Sequence, residues 1–133
     1  MNTTIIRPDS QIQQPSIDVL AIRHYEQLYA FFNAFHDDAV LCLELTDQTF
    51  RDAQSCDLTT VCVFTKAVAR LNRQPGMDLP VGTASYESNL AWLLKDIGGL
   101  RYAEIGQILE IGGEEVKQRI ADVRWTVLER LAA

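Results

Sequence analysis

Lys117, Gln118, Arg119 and Arg124 stand close together in one stretch of helical periodicity, and they are side-chain types that contact phosphates and base edges. Acidic residues are interleaved with them. Glu114, Glu115, Asp122 and Glu129 balance Lys117, Arg119, Arg124 and Arg130 one for one. The same charges also suit a solvated helix face, because Glu115 precedes Arg119 by one helical turn in the favourable order for an ion pair. A second polar group, Glu44, Asp47 and Gln48, suits contact with a protein surface. Trp125, on the flank of the later helix, is of a type enriched at interaction hot spots. Cys42, Cys56, Cys62, His24 and His36 fit no standard zinc spacing, so no metal site and no cofactor is expected. No nucleophile–base pair, glycine-rich phosphate loop or HExxH run appears, which argues against an enzyme.

The elements that must carry these residues are helical. From Asn89 to Leu131 three blocks of helix-period apolar residues are separated by two Gly-Gly breaks. Leu90, Leu93, Leu94 and Ile97 form the first block, which Gly98-Gly99 ends. Tyr102, Ile105, Ile108 and Leu109 form the second, ended by Gly112-Gly113. Val116, Ile120, Val123, Val127 and Leu131 line the third. Spacings of three and four place each set on one face, and a short helix, a tight turn and a longer helix make a helix-turn-helix pattern.

Upstream, Ser16 can cap a helix with Val19, Leu20, Ile22, Tyr25, Leu28, Tyr29, Phe32 and Phe35 on its apolar side, and Asp18 suits its N-terminal dipole. His36-Asp37-Asp38 interrupts it. A second helix follows with Val40, Leu41, Leu43, Leu45 and Phe50 apolar, then a turn over 54–57. A third covers roughly 58–71 with Val61, Phe64, Val68 and Leu71 inward, and ends in Arg70 and Arg73, cations that suit a helix C-terminus. Residues 75–88, with two prolines and two glycines, read as a non-helical linker. The expected organisation is a loosely ordered arm (1–15), a three-helix module (16–74), the linker (75–88) and a helix-turn-helix module (89–133). The fold class is all-α.

Composition sets the outer bounds. The chain has 133 residues, 47% of them apolar, enough for a core. The net charge of −6 lowers the prior for a strong phosphate-binding surface without excluding a local one. No apolar run has the length of a membrane span and nothing resembles a signal peptide, so a cytoplasmic setting is expected. An odd number of cysteines without CxxC spacing reads as reduced, packed thiols rather than a disulfide framework.

The C-terminal stretch resembles the fourth conserved region of extracytoplasmic-function sigma factors, the promoter-recognition subunits of bacterial RNA polymerase. The residues that carry the likeness are Leu93-Leu94-Lys95-Asp96, Gly99-Leu100, Tyr102-Ala103-Glu104-Ile105, Ile108-Leu109, Ile111 and Val116-Lys117, followed by Arg119, Arg124 and Leu128. Leu43 to Phe50 more weakly resembles the helix of the second conserved region that grips the polymerase clamp. The resemblance implies RNA polymerase or an anti-sigma factor as partner, met by Glu44, Asp47 and Gln48, with Trp125 added by its residue type as a candidate partner contact. It implies promoter contact through Lys117, Gln118, Arg119 and Arg124.

Three departures redirect that expectation. The segment between Phe50 and Arg73 is shorter than its family counterpart, and it holds no Trp or Tyr to stack on a flipped base. Glu114 and Glu115 occupy the start of the would-be recognition helix, where free amides attract anions. Arg101 stands where the family has a capping Ser, and Arg has no acceptor for the free amides. The expected function is therefore a sigma-like regulator of transcription initiation that works mainly through protein contacts. A short, authentic sigma factor and an oligomeric helical scaffold are the alternatives.

Overall fold

The computed structural model describes residues 17–56 and 59–132, with side chains from residue 21 onward. The arm at 1–15, the Ser16 cap and the side chains of Asp18, Val19 and Leu20 lie outside the described residues, as does Leu58, the expected start of the third helix. Among the described residues six α-helices run in order: α1 (Ile17–Asn33), α2 (Ala39–Ala53), α3 (Thr60–Asn72), α4 (Tyr86–Asp96), α5 (Tyr102–Leu109) and α6 (Gly113–Ala132), with a short 3-10 turn at Gln54–Cys56 after α2. Among the described residues there is no strand. The fold is all-α.

Local chemistry explains where the helices begin. The Asp38 carboxylate accepts from the Val40 and Leu41 amides at 3.0 and 3.2 Å and starts α2. Thr59 accepts from the Cys62 amide and starts α3. The Ser85 hydroxyl accepts from the Ser88 amide at 3.0 Å, so α4 begins at Tyr86, inside the stretch expected to be linker. Asn89 ties that stretch down. Its side chain, fully buried, accepts from the Val81 amide at 2.9 Å and donates to the carbonyls of Val81 and Ser85 at 3.0 and 2.8 Å.

Helices α1, α2 and α3 pack on one another, and α4, α5 and α6 do likewise. The two sets share one apolar core. Phe31, Phe32, Phe35, Phe64 and Leu71 from the first set join Leu90, Leu94, Leu100, Ile105, Val116 and Ile120 from the second. The seam between them is polar at its edges. Gln27 donates to the Ile97 carbonyl at 3.3 Å, the Asp78 amide donates to the Phe35 carbonyl at 2.9 Å, and the Tyr86 hydroxyl donates to Asn72 at 2.5 Å. Burial pushes the Tyr86 phenol up to about 12.

Several inward assignments need correction. Ile22, Val40 and Leu43 are exposed at 62%, 66% and 45%. Phe31, Cys42, Thr46, Thr49, Val63 and Ala67 are buried in their place or beside them. On α2 the core face is set by Leu45 with Cys42, Thr46 and Thr49, a stripe rotated away from Val40 and Leu43. Thr46 satisfies its hydroxyl by donating to the Cys42 carbonyl one turn back, at 2.7 Å.

The cysteine expectation also changes. Cys42 is a buried free thiol, but Cys56 and Cys62 form a disulfide, with Cα atoms 6.3 Å apart. The pairing reflects folding rather than spacing. The 3-10 turn at the end of α2 and the first turn of α3 bring the two sulfur atoms together.

Candidate nucleic-acid and partner interface

The candidate recognition unit is α5, a tight turn and α6, seated on α4. Arg101 precedes α5 and supplies no side-chain acceptor. The Glu104 carboxylate, three residues on, accepts from the Arg101 amide at 2.8 Å and pairs with its guanidinium. The start of α5 therefore stays at Tyr102, held from inside the first turn. These bonds also hold the Glu104 carboxyl below its ordinary range, the Arg101 backbone bond first among the causes.

The turn after α5 is closed by Glu110, a non-glycine residue in the left-handed region at φ 59° and ψ 44°. The following Ile111 amide donates to the Gly106 carbonyl at 3.0 Å. Gly106 is required by contact. A Cβ there would stand 2.6 Å from the Ile111 carbonyl oxygen. Gly112 and Gly113, the residues that mark the break in the sequence, have open space where a Cβ would go.

The four residues expected to meet DNA differ in what holds them. Lys117 and Gln118 are exposed near the turn. There Lys117 borders an open groove with Tyr102, Gln107, Glu110 and Glu114. Its ammonium lies 5.6 Å from the Tyr102 ring centroid, and that of Lys95 lies 4.9 Å from the same ring. Lys117 also approaches Glu114 at 3.8 Å.

Arg119 and Arg124 turn toward α4 instead. Arg119 meets Glu87 at 2.8 Å and Glu115 at 2.9 Å. The pair with Glu115 is the one its spacing predicts. The Glu115 hydrogen bond comes first among the causes that hold the Arg119 guanidinium above its ordinary value, with the Glu87 and Glu115 charges adding to it. Arg124 meets Asp96 at 3.1 Å. The structure thus splits the expected site, and it adds Lys95 and Tyr102, which sequence reasoning did not assign to it.

The candidate partner residues lie on two surfaces. On α2, Glu44 is exposed. Asp47 is half-buried and accepts from the Tyr25 hydroxyl at 2.5 Å, which raises the Tyr25 phenol above its usual value. Gln48 accepts from Arg70 at 2.8 Å, and Arg70 in turn pairs with Asp52 at 2.7 Å. The exposed Val40 and Leu43 lie on the same helix.

The second surface is the C-terminal part of α6. Val116, Ile120 and Val123 are buried, but none of the residues from Arg124 to Ala132 is. Trp125, Leu128 and Leu131 are 64%, 58% and 78% exposed. A shallow depression between α4 and α6 is lined by Trp92, Asp96, Arg124, Val127 and Leu128.

Among the described residues, no three His, Cys, Asp or Glu side chains converge as a metal cage. No helix among them is long and apolar enough to cross a membrane. Comparisons with protein-family descriptions, curated proteins and solved structures found no match.

Proposed function

We propose that this chain is a sigma-factor-like regulator of bacterial transcription initiation, working in the cytoplasm through contacts with RNA polymerase or an anti-sigma factor. The observation that carries the protein-directed part of this reading is the engagement of Arg119 and Arg124. Both guanidinium groups are held by carboxylates of α4, Glu87 and Asp96, so phosphate contact would first have to break those pairs. The start of α6 adds Glu114 and Glu115, which oppose the approach of a polyanion. Exposed apolar residues on α2 and α6 supply protein-type contact area instead, with Glu44 and Gln48 beside the first and Trp125 within the second.

The test is affinity capture with the tagged chain from extract of its own cell, with and without nuclease. The expected result is retention of polymerase subunits or of a sigma-binding protein after nuclease treatment. Their absence from both samples would overturn the reading.

A second reading is a short, authentic sigma factor that binds promoter DNA through α5 and α6. It is favoured by the two ammonium groups beside the Tyr102 ring at the mouth of the turn groove. It requires a duplex complex that weakens steeply with salt and is lost on Lys117→Glu.

A further inference from the structure

We propose that Cys56 and Cys62 are a reversible thiol–disulfide pair, a modification site for oxidants of the glutathione-disulfide class, which clasps the corner between α2 and α3. The inference concerns the corner itself and does not depend on the transcription reading.

Three observations support it. First, the backbone is already placed for the bond. The Cα separation of 6.3 Å lies within the range that a bridge spans without backbone movement. Second, both residues are partly exposed, so a small disulfide can reach them, whereas the remaining thiol, Cys42, is fully buried in the core. Burial, with Asp38 and Asp37 nearby, pushes the Cys42 thiol up and keeps it protonated and unreactive. Third, the ring is small, with a sequence separation of 6. The entropy a cross-link removes from the unfolded chain grows with ring length, so this bridge constrains the unfolded chain less than a long-range one would. A bond that the fold does not need for its core can open without unfolding the protein.

The chemistry balances through two exchanges. One cysteine thiolate attacks a sulfur of the oxidised glutathione disulfide and expels one glutathione thiolate, leaving a mixed disulfide. The second cysteine thiolate attacks the protein sulfur of that mixed disulfide and expels the other glutathione. Two electrons and two protons pass from the cysteine pair to glutathione, and excess reduced glutathione reverses both steps.

The consequence is local. Cys56 closes the turn that continues α2, and Cys62 sits in the first turn of α3. Further along these helices the corner is tied by Arg70 with Asp52 and Gln48. Oxidation adds a covalent tie across the connection between the two helices.

The experiment equilibrates the purified full chain in glutathione buffers of graded reduced-to-oxidised ratio, alkylates the native protein in a brief pulse, and weighs the product. The expected result is a single transition between a form that takes no alkyl groups under native conditions and one that takes two. Cys42→Ser should leave the transition in place. Cys56→Ser and Cys62→Ser should each abolish it. On reduction, amide exchange at Val61 to Phe64 should accelerate about tenfold while α4 to α6 change less than about twofold. Thiols that alkylate at every ratio, stable mixed disulfides without an internal bridge, a bridge that persists in the most reducing buffer, or unchanged exchange at the corner would each overturn the proposal. The wild-type titration decides the question even where a serine variant fails to fold.

Discussion

The guanidinium of Arg119 on α6 lies 2.8 Å from the carboxylate of Glu87 on α4 and 2.9 Å from that of Glu115 on its own helix. The side chain that the sequence offers as a phosphate contact therefore acts as a clamp between two helices. Its side chain is only 32% exposed, so the pair is better shielded than an ordinary surface bridge, though still screened by water. Arg119→Ala should lower unfolding free energy by about 1 kcal/mol, read by urea denaturation. Arg119→Lys should recover only part of this, because an ammonium cannot present the same fork to two carboxylates. A neutral effect on stability, with a large effect on duplex binding, would return Arg119 to the DNA-contact role.

Gly106 and Gly112 give a paired prediction for the turn. A Cβ at Gly106 would meet the Ile111 backbone oxygen at 2.6 Å, and one at Gly112 meets nothing within 4 Å. Gly106→Ala should destabilise by about 1–3 kcal/mol through a forced backbone shift. Gly112→Ala should be neutral or stabilise slightly by restricting the unfolded chain. Thermal or urea unfolding of the two variants side by side checks this, and equal effects would refute the packing argument.

Much of the fold was legible because it rests on local signals. Helical spacing of Leu90, Leu93 and Leu94, the breaking residues Pro75-Gly76, and the Glu115–Arg119 spacing all survive in the structure, as does the all-α class. Legibility ended where a tertiary neighbour chose between equivalent helix faces. Val40 and Leu43 satisfy an apolar pattern, yet the core takes Cys42, Thr46 and Thr49, since α1 and α3 approach α2 on that side. The Asn89 clamp was invisible because its partners are backbone groups of a segment that has no pattern of its own. The Cys56–Cys62 bridge was likewise hidden, since bridging depends on Cα proximity that spacing alone does not report. For the candidate site, residue types were readable but direction was not. Nothing in the order of residues says that Arg119 and Arg124 find carboxylates on α4 while Lys117 borders the turn groove.

His24 sets an acid response. It is buried, its Nε2 lies 3.3 Å from the Thr60 hydroxyl, and its Nδ1 has no partner among the described residues. Burial first, and the charge of Arg23 second, hold its pKa below the ordinary 6.5. The folded state therefore prefers the neutral ring. Above the unfolded value no proton is taken up on unfolding and stability is full. As pH falls below about 6.5 the unfolded chain binds a proton that the folded chain resists, and stability drops. The Glu104 carboxyl is held below its ordinary range and acts at lower pH, so unfolding midpoints are compared at pH 7.5 and 5.5, and substitution assigns the share due to this ring. His24→Gln should shrink the difference between the two. An unchanged difference would place the acid response elsewhere.

The exposed end of α6 separates partner binding from folding. Trp125 and Leu128 are on the surface at 64% and 58% exposure, so polar replacements there remove little buried area. Trp125→Ser and Leu128→Gln should shift unfolding free energy by no more than about 0.5 kcal/mol. If the proposed protein contacts use this surface, the same two variants should weaken capture of the polymerase or sigma-binding partner by about tenfold or more, as loss of an aromatic anchor does. The contrast is with Leu94→Ala in the core, which should cost about 2–5 kcal/mol and reduce capture only by depleting folded protein. Titrating the captured partner against wild-type chain and both surface variants, with folded fraction checked by circular dichroism, distinguishes the two causes. Full capture by both surface variants would remove this end of α6 from the interface and leave Glu44 and Gln48 on α2 as the surface to test.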